Sequence, residues 1–209
     1  MPRVVDAPDW PRVHRWPVAI RYGQLRLTPF TRRDLDEITL IRNRNVSWLS
    51  PWDATSPTAA EHAIGALDRV RRMTDAARRG TSLPWVLRWD EARKAPIIGQ
   101  CTVSNITYGS VQSCTVGYWI DKAYAGRGLM PLAVALAADY AMRTLSLHRV
   151  EICIRPENTA SLRVVQKLGF RYEGRRPRYI HIAGAWRDHE VFALTPEEVP
   201  EGLLARVKV

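Results

Sequence analysis

The stretch YAGRGLMPLAVALAADYAMRTL, from Tyr124 to Leu145, sets two glycines in three residues directly before an apolar run with helical spacing. Gly is a poor helix former, and an ordinary helix N-terminus takes Ser, Thr, Asp or Asn. Either Gly126 and Gly128 make a tight turn and nothing more, or the N–H groups around them face an anionic ligand. Both readings place the glycines between a strand, TVGYWID, and a helix expected over Leu129–Leu145, with RVEICI as the next strand. A right-handed crossover of this kind puts the loop at the carboxyl end of a parallel strand, where open sheets bind ligands. A Walker loop is excluded because G-K-[ST] is missing, and the dinucleotide fingerprint lacks its third glycine and its acidic residue.

The remaining elements follow from periodicity. QLRLTPF from Gln24 alternates as a first strand. TRRDLDEITLIRNR follows as a helix with Thr31 as N-cap and Asp34 at N3. A second helix is expected from Thr58, as cap, through Glu61 at N3 to Gly80. Between the two lies NRNVSWLSPWDATSP, a loop whose Trp48 and Trp52 are not both expected to be idle. PWVLRWD, PIIGQCTVSNI and SCTVGYWID read as three strands. ENTASLRVVQKLG is a short helix ending at Gly169, and FRYEGRR, RYIHIAG and HEVFAL close the chain with more strand. The order β-α-α-β-β-β-α-β-α-β-β is an α/β arrangement, one mixed sheet with helices available for both faces.

A length of 209 residues fits one domain. The expected division is an N-terminal arm over residues 1–20, a domain over 21–196 and a C-terminal tail over 197–209. No run of 18 apolar residues suggests a membrane span, and the N-terminus has no apolar signal core, so a cytoplasmic location is expected. Cys101, Cys114 and Cys153 form no ligand pattern; no metal site is expected among the Cys, His and carboxylates. The balance of 31 basic to 21 acidic residues, a net +10, favours acidic partners such as phosphate-bearing cofactors or nucleic acid. A merely solvated basic surface accounts for it equally well.

The blocks VGYWIDKAYAGRGLM and HRVEICIRPENTASLRVVQKLGFRYEG resemble the core of the GCN5-related N-acetyltransferases, and the resemblance spans residues 20–195. With LSPWD upstream and AGAWRDHEVFAL downstream, the pattern is most similar to the ribosomal-protein alanine N-acetyltransferases. That resemblance implies a single mixed, twisted, mostly antiparallel sheet with two splayed central parallel strands. It implies acetyl-CoA as cosubstrate, with the main chain of Tyr118, Trp119 and Ile120 along its pantetheine arm. The N–H groups of Gly126, Arg127, Gly128, Leu129 and Met130 would hold the diphosphate, and Asn158 would bond the pantetheine amides. Ser161 would protonate the departing thiolate. An oxyanion would be held by the N–H of Trp119 or Ile120. The expected acceptor is the N-terminal alanine of ribosomal protein S5, with possible ribosome association through the basic surface. The alternatives are a small amine such as an aminoglycoside or polyamine, or a ribosome- or RNA-associated binding module without turnover.

Two positions depart from the family. Ala123 stands where Gln or Arg commonly begins the loop. The region SNITYGSVQ has no carboxylate where related enzymes can carry a Glu base, and Tyr108 falls about there. An α-amine, with a pKa of about 7.7–8.0 against about 10.4 for Lys, is already neutral in roughly a quarter to a third of molecules at pH ~7.4. An enzyme without a strong base therefore suits N-terminal amines, with water relayed by Tyr108. Taken without the family, Ser161 reads as a helix-turn hydroxyl, His148 as a helix C-cap, and His181 and His189 either as structural strand residues or as side chains lining a cleft. Asp188 either orients the amine or satisfies nearby backbone.

Overall fold

The computed structural model describes residues 2–7, 16–58, 64–91 and 95–207. Within them, nine strands form one sheet in the order β1-β2-β3-β4-β5-β6-β7-β9-β8. The strands are β1 Arg3–Asp6, β2 Val18–Tyr22, β3 Leu25–Pro29, β4 Leu83–Trp89, β5 Ile97–Thr107, β6 Ser113–Ile120, β7 Arg149–Ile154, β8 Arg171–Ile182 and β9 Ala185–Leu194. Only β1–β2 and β6–β7 are parallel. The α/β class and the parallel central pair agree with the sequence reading.

The helices are α1 Leu35–Arg44, α2 Val46–Leu49, α3 Ala66–Arg78, α4 Leu129–Arg143 and α5 Thr159–Leu168. Alternation along the strands divides them between two faces. On one face Phe30, Ile38, Ile41, Val70, Val86 and Ile97 pack together with α1 and α3. On the other, α4 is buried nearly all round, against the sheet, α5 and the C-terminal segment. That enclosure explains why LMPLAVALAADYAM lacks the polar stripe of a surface helix. Its one buried carboxylate, Asp139, accepts from the N–H groups of Leu203 (2.6 Å) and Leu204 (2.9 Å), which ties the C-terminal segment to the helix.

Several local expectations are revised. Arg3–Asp6 and Val18–Tyr22, assigned no strand in the sequence reading, are strands: short elements held by pairing rather than by a pattern visible in four or five residues. The capping box at Thr31 and Asp34 is present, though it opens a 3-10 turn that leads into α1. The second helix begins at Ala66 with Gly65 as its N-cap. Thr58 does not cap it; its hydroxyl meets Ser56 at 3.0 Å, and Glu61 lies outside the described residues.

Candidate functional site

β6 and β7 pair only over Ser113–Thr115 and Arg149–Glu151. Beyond Thr115 the strands separate, and Val116–Ile120 faces Ile152–Ile154 across a gap without a ladder. A cause lies on the neighbouring strand, where the β5–β6 register slips between Ser104 and Thr107 and Asn105 takes a positive φ of 51°. The Ser104 hydroxyl (3.0 Å) and the Asn105 amide (3.0 Å) both meet the Thr115 hydroxyl. A bulge bends a sheet and raises its twist, and this one is pinned at the residue where β6 parts from β7.

Main-chain alternation decides which groups of β6 line the gap. The N–H of Asp121 donates to Ile98 of β5 (2.8 Å), so Tyr118 and Ile120 turn their main chain toward the gap. Trp119 is a correction to the expected set. Its carbonyl lies against Gly99 so closely that no Cβ fits there, which turns its main chain toward β5 rather than the gap.

The glycine loop closes the carboxyl end of β6. Gly126 and Gly128 have φ of 79° and 77°, the left-handed region, and Gly128 is the N-cap residue of α4. A Cβ on either would point into open space. The N–H groups of Gly126, Arg127, Gly128, Leu129 and Met130 take no acceptor from the described residues. Five unspent donors beside a helix N-terminus suit an anion such as a diphosphate. The side chains contribute little: Leu129 and Met130 are buried in the core, and Arg127 folds back onto its own loop, donating to the Ala123 carbonyl at 2.8 Å.

Asp121 holds this loop, and the sequence reading passed over it as the end of a strand. It is 3% exposed on its side chain, bonds Arg44, and accepts from Asn45 Nδ2 (2.9 Å) and the Ala123 N–H (3.2 Å). Asn45 Oδ1 in turn accepts from the Lys122 N–H at 3.0 Å. Burial raises the Asp121 pKa, but Arg44, Asn45 and the Ala123 N–H outweigh it and hold the carboxyl below its ordinary 3.8. A buried Asp joined to a helix-end Asn is a tertiary signal with no local mark.

On the other strand, Asn158 is the N-cap of α5, its Oδ1 accepting from the Ser161 N–H at 3.1 Å. Its amide NH₂ has no partner among the described residues and remains for a ligand. Ser161 sits in the first turn of α5, and its carbonyl accepts from the Tyr118 hydroxyl at 3.5 Å, so Ser161 and Tyr118 meet across the gap. Burial pushes the Tyr118 phenol well above its usual 10, against the smaller opposing effect of the Ser161 bond, and keeps it a donor. Tyr108 is not brought to this place. It is exposed in the β5–β6 turn, beyond Ser113, and five residues of β6 from Ser113 to Tyr118 span roughly 17 Å.

The opposite mouth of the gap is built from Asn45–Thr58. Trp48 Nε1 donates to the Ile120 carbonyl (3.1 Å) at the end of β6. Arg155, just past β7, donates to the Pro51 carbonyl (2.8 Å) and stacks over Trp52 at 5.5 Å. Thr55 meets His181 Nδ1 at 2.8 Å on β8. Neither tryptophan is idle. Asp188 accepts from the Arg178 N–H at 2.8 Å, the backbone role of its two readings, and His148 meets Glu197 at 3.1 Å.

A sequence profile of the acetyltransferase (GNAT) domain matches residues 24–171. The chain belongs to the GNAT acetyltransferases. It is 33% identical over 157 residues to the [ribosomal protein uS5]-alanine N-acetyltransferase of Escherichia coli, covering 75% of this chain and 80% of that one. It is 42% identical over 103 residues to the probable N-acetyltransferase YjcK of Bacillus subtilis, covering 49% of this chain and 57% of the relative. Among solved structures, Mycobacterium smegmatis RimJ in complex with CoA-disulfide superposes with a TM-score of 0.79 at 33% identity, covering 87% of each chain. The protein is thus an acyltransferase of a family that uses acetyl-CoA. The free strand edge and the unspent donors of this GNAT chain fit that donor: an edge for its amides and a cradle for its diphosphate. No described helix is long and apolar enough to cross a membrane.

Proposed function

We propose that this enzyme acetylates the N-terminal α-amine of a protein, the alanine of ribosomal protein uS5 being the acceptor that its 33%-identical Escherichia coli relative is named for. The observation that carries the reading is the gap between β6 and β7, with donors for acetyl-CoA at one end and an aromatic, arginine-rich wall at the other. Bound acetyl-CoA supplies a thioester carbonyl to the gap. Tyr118 and Ile120 offer main-chain groups along the edge, and an N–H from this edge stabilises negative charge on the carbonyl oxygen. The Ser161 hydroxyl, at the start of α5, delivers a proton to the leaving sulfur. The 33% identity to the E. coli enzyme supports the α-amine acceptor.

A polycationic acceptor is disfavoured by how the carboxylates on the acceptor side are occupied. Glu151 is paired with Arg149 and Arg176, Glu190 with Arg175 and Asp53 with Arg42. The test compares a peptide beginning with alanine against the same peptide blocked at its α-amine and carrying a lysine. The neutral fraction of the α-amine exceeds that of lysine by more than about a hundredfold near neutral pH, and kcat/KM should follow. Equal rates on the two would defeat the α-amine assignment.

A further inference from the structure

The acceptor side holds a buried titratable group that the mechanism above leaves unused. His189, 3% exposed, lies on β9 immediately beyond the last β7–β9 pair, Ile154 with Glu190. Its Nδ1 is 3.0 Å from the Arg187 carbonyl. A carbonyl only accepts, so Nδ1 carries the hydrogen and Nε2 keeps its lone pair. No described residue donates to Nε2.

The neighbours of His189 connect it to the open edge of β7. Arg176 pairs with it across the β8–β9 hairpin and reaches Glu151 (3.1 Å) and Cys153 Sγ (3.7 Å). Glu151 and Cys153 share the face of the sheet opposite α4, the face on which Trp119 meets Arg42. The Tyr179 ring stands edge-on at 6.1 Å. The charged groups around the imidazole are Arg155 and Glu157 following β7, Asp188 beside it and Arg176 from β8. Burial, aided by Arg155 and opposed by the Arg187 carbonyl, Glu157 and Asp188, holds its pKa below the ordinary 6.5. His189 is therefore neutral at pH 7, with an acceptor nitrogen on the side opposite the glycine loop's helix.

We propose that His189 Nε2 takes up, directly or through one water, the proton that the attacking amine sheds, in place of the carboxylate absent from SNITYGSVQ. This inference rests on the acyl-transfer reading in requiring an amine to enter from this face. The amine lone pair forms the C–N bond to the thioester carbon, and an N–H proton passes to Nε2. The C–S bond breaks with its electron pair on sulfur, which takes the Ser161 proton as Ser161 regains one from solvent. The imidazolium then returns its proton to water.

The pH dependence of kcat/KM on an alanine-starting peptide tests the assignment. In the wild type the rate falls tenfold per pH unit below the α-amine pKa, then a hundredfold per unit once pH drops below that of His189. His189→Ala should be about 10²–10⁴-fold slower, keep the tenfold slope throughout, and recover partly with added imidazole. His189→Gln should share the slope without the rescue. Both should bind acetyl-CoA as the wild type does by calorimetry, which reports an intact donor site. Variants that keep the wild-type rate, or that slow while retaining the steep limb, would overturn the proposal, as would a wild type lacking that limb. If the peptide is inert while a small amine is acetylated, the acceptor assignment fails, and the same profile on that amine decides the role of His189.

Discussion

The two mouths of the gap are built from different materials. The donor mouth is mainly main chain: the edge of β6 and the N–H groups of Gly126–Met130, with Asn158 and Ser161 the side chains beside it. The acceptor mouth is side chain: Trp48, Trp52, Arg155 and His181, held by bonds that span 72 residues (Trp48 to Ile120), 104 (Pro51 to Arg155) and 126 (Thr55 to His181). Main chain can read only what every family member shares, the diphosphate and amides of one donor. Side chains can be exchanged without disturbing the ladder, so specificity for an acceptor belongs on that mouth.

The largest effect should come from breaking the donor mouth. In Gly128→Val a β-branched side chain occupies the open space that a diphosphate would approach, and acetyl-CoA binding should be lost in calorimetry. Strain at φ 77° costs about 1–2 kcal/mol, which a fold of ordinary stability survives, so melting should stay cooperative. Unchanged affinity would show that the N–H cradle is not the phosphate site.

Ser161→Ala sharpens the comparison by testing a side chain on the donor mouth. Its partner acquires charge only as sulfur leaves, so kcat should fall about a hundredfold with donor affinity little changed. Lost binding with unchanged turnover would make Ser161 another positioning contact.

Asp121→Asn tests whether the donor mouth depends on α1. Removing charge-assisted bonds to Arg44 and the Ala123 N–H should cost about 1.5–3 kcal/mol in denaturant unfolding. Because the native carboxyl titrates below its ordinary 3.8, this stabilisation is complete above that value and vanishes as pH falls through the lower native pKa. The variant should therefore lack this component of acid sensitivity; an unaltered acid limb would assign it elsewhere.

The smallest effect is expected at the link between the mouths. Trp48→Phe deletes the bond to the Ile120 carbonyl and should cost about 1 kcal/mol, a fall of about 2–4 °C in Tm. The acceptor KM should rise more than that for acetyl-CoA. Equal changes in both would mean that the mouths act as one unit.

The sequence by itself determined the parallel pair with its helical crossover, the glycine loop and the cap at Thr31, while the capping role of Asn158 emerged only from the structure. The first three are local requirements: positive φ at Gly126 and Gly128, a side-chain oxygen at a helix start, apolar alternation along a buried strand. The family pattern around those residues also brought Ser161 and Tyr118 to the gap before any contact between them was visible. Tertiary structure alone decided that Trp119 turns its main chain toward β5, that Asp121 and Asn45 hold the loop, and that Tyr108 stands at the far end of β6. It also decided which nitrogen of His189 is free, because the hydrogen on Nδ1 is set by where the Arg187 carbonyl points. Strand register, a bulge at Asn105 and pairings across more than a hundred residues settle such matters. They are energies of packing and hydrogen bonding between distant segments, which leave no periodicity in the chain.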